Sequence, residues 1–378
     1  MATPAEAIAA LRALPGGRKL FEAVEPSEPV WIVGGAVRDL LLGRTPTEID
    51  LVTTQSAMEI AGRFGKLRGK SERFGTVKAG DDGLLFDVAQ TRSETYAAPG
   101  ALPDVTTGVT LERDLERRDF TINAMALSLT GDLVAHPDAL EDLEAGRLRV
   151  LHDRSFADDP TRLWRLVRYA VRLGFTIEPY TAELAVAAVA DDALETISGK
   201  RRGTELKLAL REPNPLAVLH AAMNLGLTPP LTLDPEIVGR ALEIAPTGSR
   251  TDLMILGSAV ENAQWLSALR FKTSEFAILL DCVGVRPAPA GPPSKVATVL
   301  RDLCDEAVAL SGARGSRAAA ERWLLEWRDV KLEIDGDDLI AAGITPGPEI
   351  GKRLRRTLRE KLDGEVSGRE AELEAALR

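Results

Sequence analysis

The chain has 378 residues, enough for two or three domains and far more than a single hydrophobic core requires. With 45% apolar, 28% charged and 4% aromatic residues it has the composition of a folded globular protein, which excludes disordered, collagen-like and mucin-like chains. Lys and Arg number 47 against 57 Asp and Glu, and a net charge of -10 argues against wholesale binding to nucleic acid or to an anionic membrane.

The opening MATPAEAIAALRALPGG lacks the basic start and continuous apolar stretch of a targeting segment, and reads as an Ala/Leu helix ended by Gly16-Gly17. No run of eighteen apolar residues occurs, so no membrane partner is expected and the cytoplasm is the expected location. Val30 to Val33 is a short strand-like run stopped by Gly34-Gly35, and the helix-like segment that follows closes at Gly43. Paired glycines between a strand and a helix let a phosphate reach backbone N–H groups at the helix N-terminus; a plain structural turn is the alternative.

Ile49 to Thr53 is β-branched and strand-like. Glu48 and Asp50 stand at i and i+2 and therefore point to one face, which is costly without a cation between them. Mg2+ bridging the two carboxylates to substrate phosphates supplies that cation; a solvated acidic strand end is the alternative. Phe74 to Lys78 and Leu84 to Ala89 flank Gly80-Asp81-Asp82-Gly83 and predict a hairpin. Within its second strand Asp87 is a lone charge, either a third carboxylate of the metal site or the ion-pair partner of Arg92.

Arg117 and Arg118, followed by Asp119, Thr121 and Asn123, offer guanidinium forks for phosphate oxygens and short polar groups for a ribose hydroxyl. An Asp-capped helix preceded by arginines would look similar. From Asp158 onward the spacing is helical, and Asp159-Pro160 marks a helix start. Arg162, Arg165, Arg168 and Arg172 fall on one side of that helix, a basic face usually turned to solvent. Leu163, Leu166, Val167, Ala170 and Val171 fall on the other, which packs. The Asp159/Arg162 pair at i, i+3 carries a sharper possibility. A carboxylate accepts from the exocyclic amine of cytosine or adenine while a guanidinium donates to the neighbouring ring position; uracil and guanine present a carbonyl where the amine should be.

Basic residues are concentrated. Residues 147–172 hold seven Arg against three Asp, residues 200–211 hold five Lys/Arg against one Glu, and Lys352 to Lys361 forms a third basic stretch, so segregated patches can follow a phosphate backbone despite the acidic total. The Pro-rich Arg286 to Ser294 segment is the best linker candidate. Cys282 and Cys304 read as buried structural thiols, and the scattered His136, His152 and His220 form no clustered metal site.

Taken in order, these segments resemble the bacterial, class II branch of the tRNA nucleotidyltransferase and poly(A) polymerase family. The metal-carboxylate motif corresponds to Gly34-Gly35-Ala36-Val37-Arg38-Asp39 with Glu48 and Asp50, and RRDFTxN is matched letter for letter by Arg117 to Asn123. The loop coupling head to neck resembles Pro137 to Gly146, the base-reading EDxxR motif falls on Asp158 to Arg162, and a supporting neck motif on Ile197 to Leu206. The chain departs from the family in having Glu48 for the usual Asp, Asp158 for Glu, and Lys200 where the supporting motif has Glu. The phosphohydrolase appendage of some relatives has no counterpart motif.

The resemblance implies an α+β fold: a polymerase-β-type nucleotidyltransferase head with a small mixed sheet over 1–150, a helical neck reading the base over 151–215, and a helical body and tail binding tRNA over 216–378. It implies CMP and AMP addition from CTP and ATP to the tRNA 3′ end, with two Mg2+ ions held by Glu48 and Asp50 and with Asp87 assisting. Gly34, Gly35, Arg38, Arg117, Arg118, Asp119, Asn123, Asp159, Arg162, Arg165 and Arg168 would bind the nucleotide. A poly(A) polymerase, a CC-only or A-only enzyme, and a non-catalytic RNA-binding relative are the alternatives; a monomer is the expected state.

Overall fold

Strand β1 (Val30–Val33) runs through the middle of the N-terminal sheet, and its all-apolar sequence suits a strand buried on both faces. The computed structural model describes residues 1–71, 75–81 and 84–378, and the chain divides into two compact units, Met1–Leu227 and Thr228–Arg378.

In the first unit β1 is followed by β2 (Ile49–Thr53), β3 (Leu67–Ser71), β4 (Thr76–Asp81), β5 (Leu84–Gln90), β6 (Arg92–Thr95), β7 (Asp104–Thr107), β8 (Met125–Ser128) and β9 (Leu133–Ala135). Among the described residues seven strands form one sheet in the order β3-β4-β5-β2-β1-β8-β9, while β6 and β7 pair as a separate antiparallel hairpin. The sheet is mixed: β1 is antiparallel to β2 and β8, and β2 is parallel to β5. The hairpin expected between 74 and 89 is present as β4 and β5; Phe74 and the turn residues Asp82 and Gly83 lie outside the described residues.

The β2–β5 register places Asp50 opposite Asp87. Strand alternation then puts Asp50 and Val52 on one face, together with Asp87 and Ala89. Val52 packs there with Val33, Leu111, Leu115 and Ala126, so this is the face covered by the short helix Leu111–Leu115. That helix delivers the chain to Arg117 and Arg118, the latter close enough to act on Asp50 of β2.

Two helices, α1 (Pro4–Ala13) and α2 (Pro15–Ala23), precede the sheet, and α3 (Gly35–Leu41) follows β1. Gly16 and Gly17 do not end the first helix as expected. Pro15 starts α2 in the position proline favours, and both glycines lie inside it. A Cβ on Gly17 would fall 1.7 Å from the Leu11 carbonyl oxygen, so glycine is what permits the close turn between the helices.

The rest of the first unit is helical. Helix α4 (Thr161–Leu173) packs against α5 (Gly199–Leu210) and α6 (Pro215–Leu225). Leu163, Leu166 and Val167 are buried, as the spacing predicts. The arginine side corrects the expectation of a solvated face: Arg162 and Arg168 are also buried. Arg168 Nε donates to Glu212 Oε1 at 2.8 Å and its Nη1 to Glu205 Oε2 at 3.3 Å, while Arg172 Nε donates to Glu212 Oε2 at 2.6 Å. Burial of the Arg168 guanidinium is tolerable because carboxylates meet it, and that of Arg162 because a hydroxyl and a carbonyl accept from it.

The second unit is all helical among the described residues. One apolar cluster gathers Met254, Leu300, Leu310, Trp323 and Trp327; a smaller one gathers Ile334, Leu339 and Ala376. Arg286 to Ser294 is not a linker. Ala288 is buried in the larger cluster, its N–H donates to the Ser311 carbonyl at 2.8 Å, and its carbonyl accepts from Ser316 N at 2.9 Å. Cys282 is buried and Cys304 partly so, both as free thiols. The third basic stretch lies on helix Pro348–Leu362, with Lys352, Arg355, Arg356 and Arg359 exposed and Arg353 bound to the Ala376 carbonyl at 2.8 Å. Among the described residues no helix is long and apolar enough to cross a membrane.

Candidate active site

The turn between β1 and α3 opens the site. Gly34 sits at φ +65° and ψ -128°, a conformation that side chains resist, and its N–H donates to the Met125 carbonyl at 3.1 Å. A Cβ there would also stand 3.0 Å from Arg118 Nη1. Gly34→Ala is therefore expected to cost about 1–3 kcal/mol of stability from the backbone alone, measured by denaturant unfolding, and to push Arg118 off its position.

The turn borders a cavity of about 480 Å3. Its walls bring together Gly34, Gly35, Arg38, Glu48, Asp50, Arg117, Arg118, Asp119, Asn123, Asp159, Arg162 and Arg165, which sequence reasoning had singled out from segments far apart in the chain. Arg168 is not among them, being held on the Glu205/Glu212 side of α4. Asp87 stands one strand over from Asp50, and its partner is Lys78 Nζ at 2.7 Å; Arg92 instead pairs with Glu94 at 3.0 Å. The parallel β2–β5 pairing, invisible in local pattern, places Asp87 beside Asp50, and the β4–β5 register sets Lys78 opposite it.

Burial, then the charges of Asp87 and Glu48, push the Asp50 carboxyl up to about 6, against the opposing pull of Arg118 and Lys78. Asp50 thus has two other carboxylates near it, the exposed Glu48 just before β2 and Asp87, which is paired with Lys78. Among the described residues no group of three His, Cys, Asp or Glu side chains is gathered as a metal cage. Asp50 at the start of β2 and Glu48 in the bend just before it both line the cavity, and their carboxylate oxygens suit a hard cation whose remaining ligands would be phosphate oxygens and water. Glu48 offers the same donor atoms as aspartate on a longer arm.

Across the cleft a hydrogen-bonded chain sets the polar groups. Arg38 is buried, its Nε and Nη2 donate to Asp39 Oδ1 at 2.9 and 2.8 Å, and its Nη1 donates to Asn123 Oδ1 at 2.9 Å. Asn123 Nδ2 in turn donates to Asp119 Oδ1 at 3.0 Å, and Arg165 Nε donates to Asp119 Oδ2 at 2.7 Å. Burial alone would raise the Asp119 carboxyl, but the Arg165 charge, the Asn123 hydrogen bond and the Arg162 charge hold it down at about 2. Asp119 is accordingly a fixed anion. Arg165 Nη2 also donates to Tyr169 Oη at 2.9 Å, and the Tyr169 ring has the guanidiniums of Arg38, Arg165 and Arg172 within 6 Å.

At the other end Asp159 Oδ1 accepts from Thr161 N at 3.1 Å, Thr161 Oγ1 at 2.7 Å and Arg201 Nη2 at 2.9 Å. Oδ2 accepts no hydrogen bond among the described residues. Arg162 donates from Nη1 to Ser155 Oγ at 2.7 Å and from Nη2 to the Arg117 carbonyl at 2.8 Å. The two do not bond each other: each is braced separately, with Asp159 held by α5 through Arg201. Arg201 Nη1 also reaches the Gly100 carbonyl in the β6–β7 loop at 2.9 Å. Lys200, the family-atypical position, is exposed, and its neighbour Arg201 makes the contact.

Several wall residues went unnoticed in the sequence: Glu94, Tyr96, Tyr169 and Glu205. Glu205 meets Arg168 from 37 residues away, too far for spacing to reveal, whereas Glu94 and Tyr96 bond each other two residues apart.

A family model described as the poly A polymerase head domain matches residues 30–149. An A-adding tRNA nucleotidyltransferase of Geobacter sulfurreducens is 34% identical over 93% of this chain but only 45% of its own length. The chain spans less than half the length of the A-adding relatives it matches. A CC-adding tRNA nucleotidyltransferase of Deinococcus radiodurans is 30% identical over 95% of this chain and 96% of its own. The Thermotoga maritima CCA-adding enzyme, solved in complex with tRNA, is 30% identical with a TM-score of 0.66, covering 98% of this chain and 94% of that one. CCA-adding enzymes solved with ATP and with CTP share the fold.

Proposed function

The chain belongs to the tRNA nucleotidyltransferase and poly(A) polymerase family, and from that premise we infer that it adds CMP and AMP to the 3′ end of tRNA without a template. One observation carries the reading: a single cavity joins Glu48 and Asp50 at the start of β2, a Gly-Gly turn with an arginine beside it, and a braced Asp159/Arg162 pair. Each part answers to one part of a nucleoside triphosphate meeting a hydroxyl.

The triphosphate would lie along Gly34 and Gly35 with Arg118 donating to its oxygens. Asp119, kept ionised and fixed in place by Arg165 and Asn123, would accept from the ribose hydroxyl. Asp159 Oδ2 would accept from the base amine and Arg162 donate beside it, favouring cytosine and adenine over uracil and guanine. Glu48 and Asp50 would hold Mg2+. Bound there, the ions lower the pKa of the primer 3′-hydroxyl and offset charge on the departing pyrophosphate. The bond formed joins the primer 3′-oxygen to the α-phosphorus, and the bond broken releases pyrophosphate. In the second unit, the exposed basic face of helix Pro348–Leu362 supplies positive charge for a phosphate backbone.

The test is incorporation on tRNA lacking its terminal CCA, with Mg2+ and each labelled triphosphate separately. CTP and ATP are expected to be used and UTP and GTP to lag by about 100-fold, the discrimination of a well-placed bidentate contact. Equal use of UTP and CTP would overturn the base-reading assignment. The names of the A-adding and CC-adding relatives favour a second reading, addition of only part of CCA. Product length on the same tRNA separates the two.

A further inference from the structure

The cleft contains two consecutive arginines, and the fold treats them differently. Arg117 commits its guanidinium to the protein. Its Nε and Nη2 donate to Asp114 Oδ1 at 3.0 and 2.8 Å, Nε also reaches the Arg92 carbonyl at 3.1 Å, and Nη1 meets Glu94 Oε1 at 3.2 Å. Arg118 is held at one corner, by Nη2 donating to Asp114 Oδ2 at 3.0 Å. Its Nη1 is the atom that a Cβ on Gly34 would crowd, and its Nε is buried with no hydrogen-bond partner.

Asp114 is the residue common to both. It is fully buried on the helix Leu111–Leu115, and the turn that follows the helix brings Arg117 and Arg118, three and four residues on, back to its two oxygens. Its two oxygens are filled by the guanidiniums and by Arg92 N at 3.0 Å, which also ties down the start of β6. Two guanidiniums side by side repel, and a buried one without a carboxylate is costly. Asp114 removes both difficulties while leaving the Nη1 corner of Arg118 at the Gly34 turn.

We propose that Asp114 is a positioning residue for the nucleotide. It locks Arg117 as a strut and aims Arg118 at the triphosphate of the bound substrate. This rests on the reading of the cleft as a nucleoside triphosphate site.

Calorimetric titration of the full chain with ATP and with CTP, in Mg2+ and without RNA, tests it. Asp114→Asn keeps the size and loses the charge; it is expected to weaken nucleotide binding at least 10-fold while tRNA affinity, by filter binding, changes less than 2-fold. In an Arg118→Ala background the same substitution is expected to change nucleotide affinity less than 2-fold, because the group being aimed is gone. Full nucleotide affinity in Asp114→Asn, or an undiminished loss in the Arg118→Ala background, overturns the proposal. Should Asp114→Asn fail to fold by circular dichroism, Asp114→Glu, which moves the charge by one methylene, is expected to lose 3- to 10-fold in nucleotide affinity, and wild-type affinity there overturns the proposal equally. A wild-type chain that binds neither nucleotide overturns the nucleotide-site reading itself and the Asp114 proposal with it; binding by the wild type with no change in the variants overturns the latter alone.

Discussion

Asp50→Ala is expected to lower the rate constant for CMP incorporation by about a thousandfold or more while the KM for tRNA stays within about 3-fold. Losing a single well-placed electrostatic group costs about two to three powers of ten in many enzymes, and Asp50 would act on both the attacking and the leaving oxygen through the ions it holds. A loss of fold would mimic the first effect, so the variant's thermal stability is the control. The carboxyl is already raised to about 6 by burial and by Asp87 and Glu48. Removing it relieves that crowding, and the metal-free variant should therefore melt no lower than the wild type. Residual activity within 10-fold of wild type would place the chemistry elsewhere and favour a non-catalytic relative.

Asp159→Ala is expected to raise UMP incorporation relative to CMP by about 10- to 100-fold, the range that corresponds to the 1–3 kcal/mol of one good base contact. Asp159→Asn should go further in the same direction, because its amide presents a donor where the carboxylate presents only acceptors, and a uracil or guanine carbonyl then finds a partner. Competition between labelled CTP and UTP in one reaction reads both variants. An unchanged ratio would remove Asp159 from base selection and leave it as the anchor for Arg201 and Thr161.

Local pattern made much of the head legible. β1, the glycine turn, β2 and the hairpin strands follow from apolar runs and their punctuation; Glu48, expected to share a strand face with Asp50, lies in the bend just before β2, and both line the cavity. What depended on distant pairing was not legible. Only the parallel β2–β5 register brings Asp87 beside Asp50, while the antiparallel β4–β5 register sets Lys78 opposite Asp87 and gives it that partner instead of Arg92. The helical period identified the arginine side of α4 but could not say what it faces: the carboxylates that bury it, Glu205 and Glu212, lie about forty residues on, and Asp119 comes from the sheet side. Asp114 is a different case. Its i+3 and i+4 relation to Arg117 and Arg118 was open to inspection, but the short helix it lies on and the turn that folds both arginines back to it were not.

The hydrogen bond from Arg162 Nη2 to the Arg117 carbonyl, 2.8 Å long, joins Arg162 to the peptide bond that precedes Arg118. In the proposed binding mode, base end and phosphate end would thereby be linked jaws of one caliper. A pyrimidine and a purine nucleotide would each span it with the same sugar and phosphate placement, so the base itself would absorb the difference in size. Substitutions that reshape the base pocket through Arg162 should in consequence also disturb the grip on the triphosphate, and changes of base preference that spare catalysis should be found more readily at Asp159, which is braced from α5 instead.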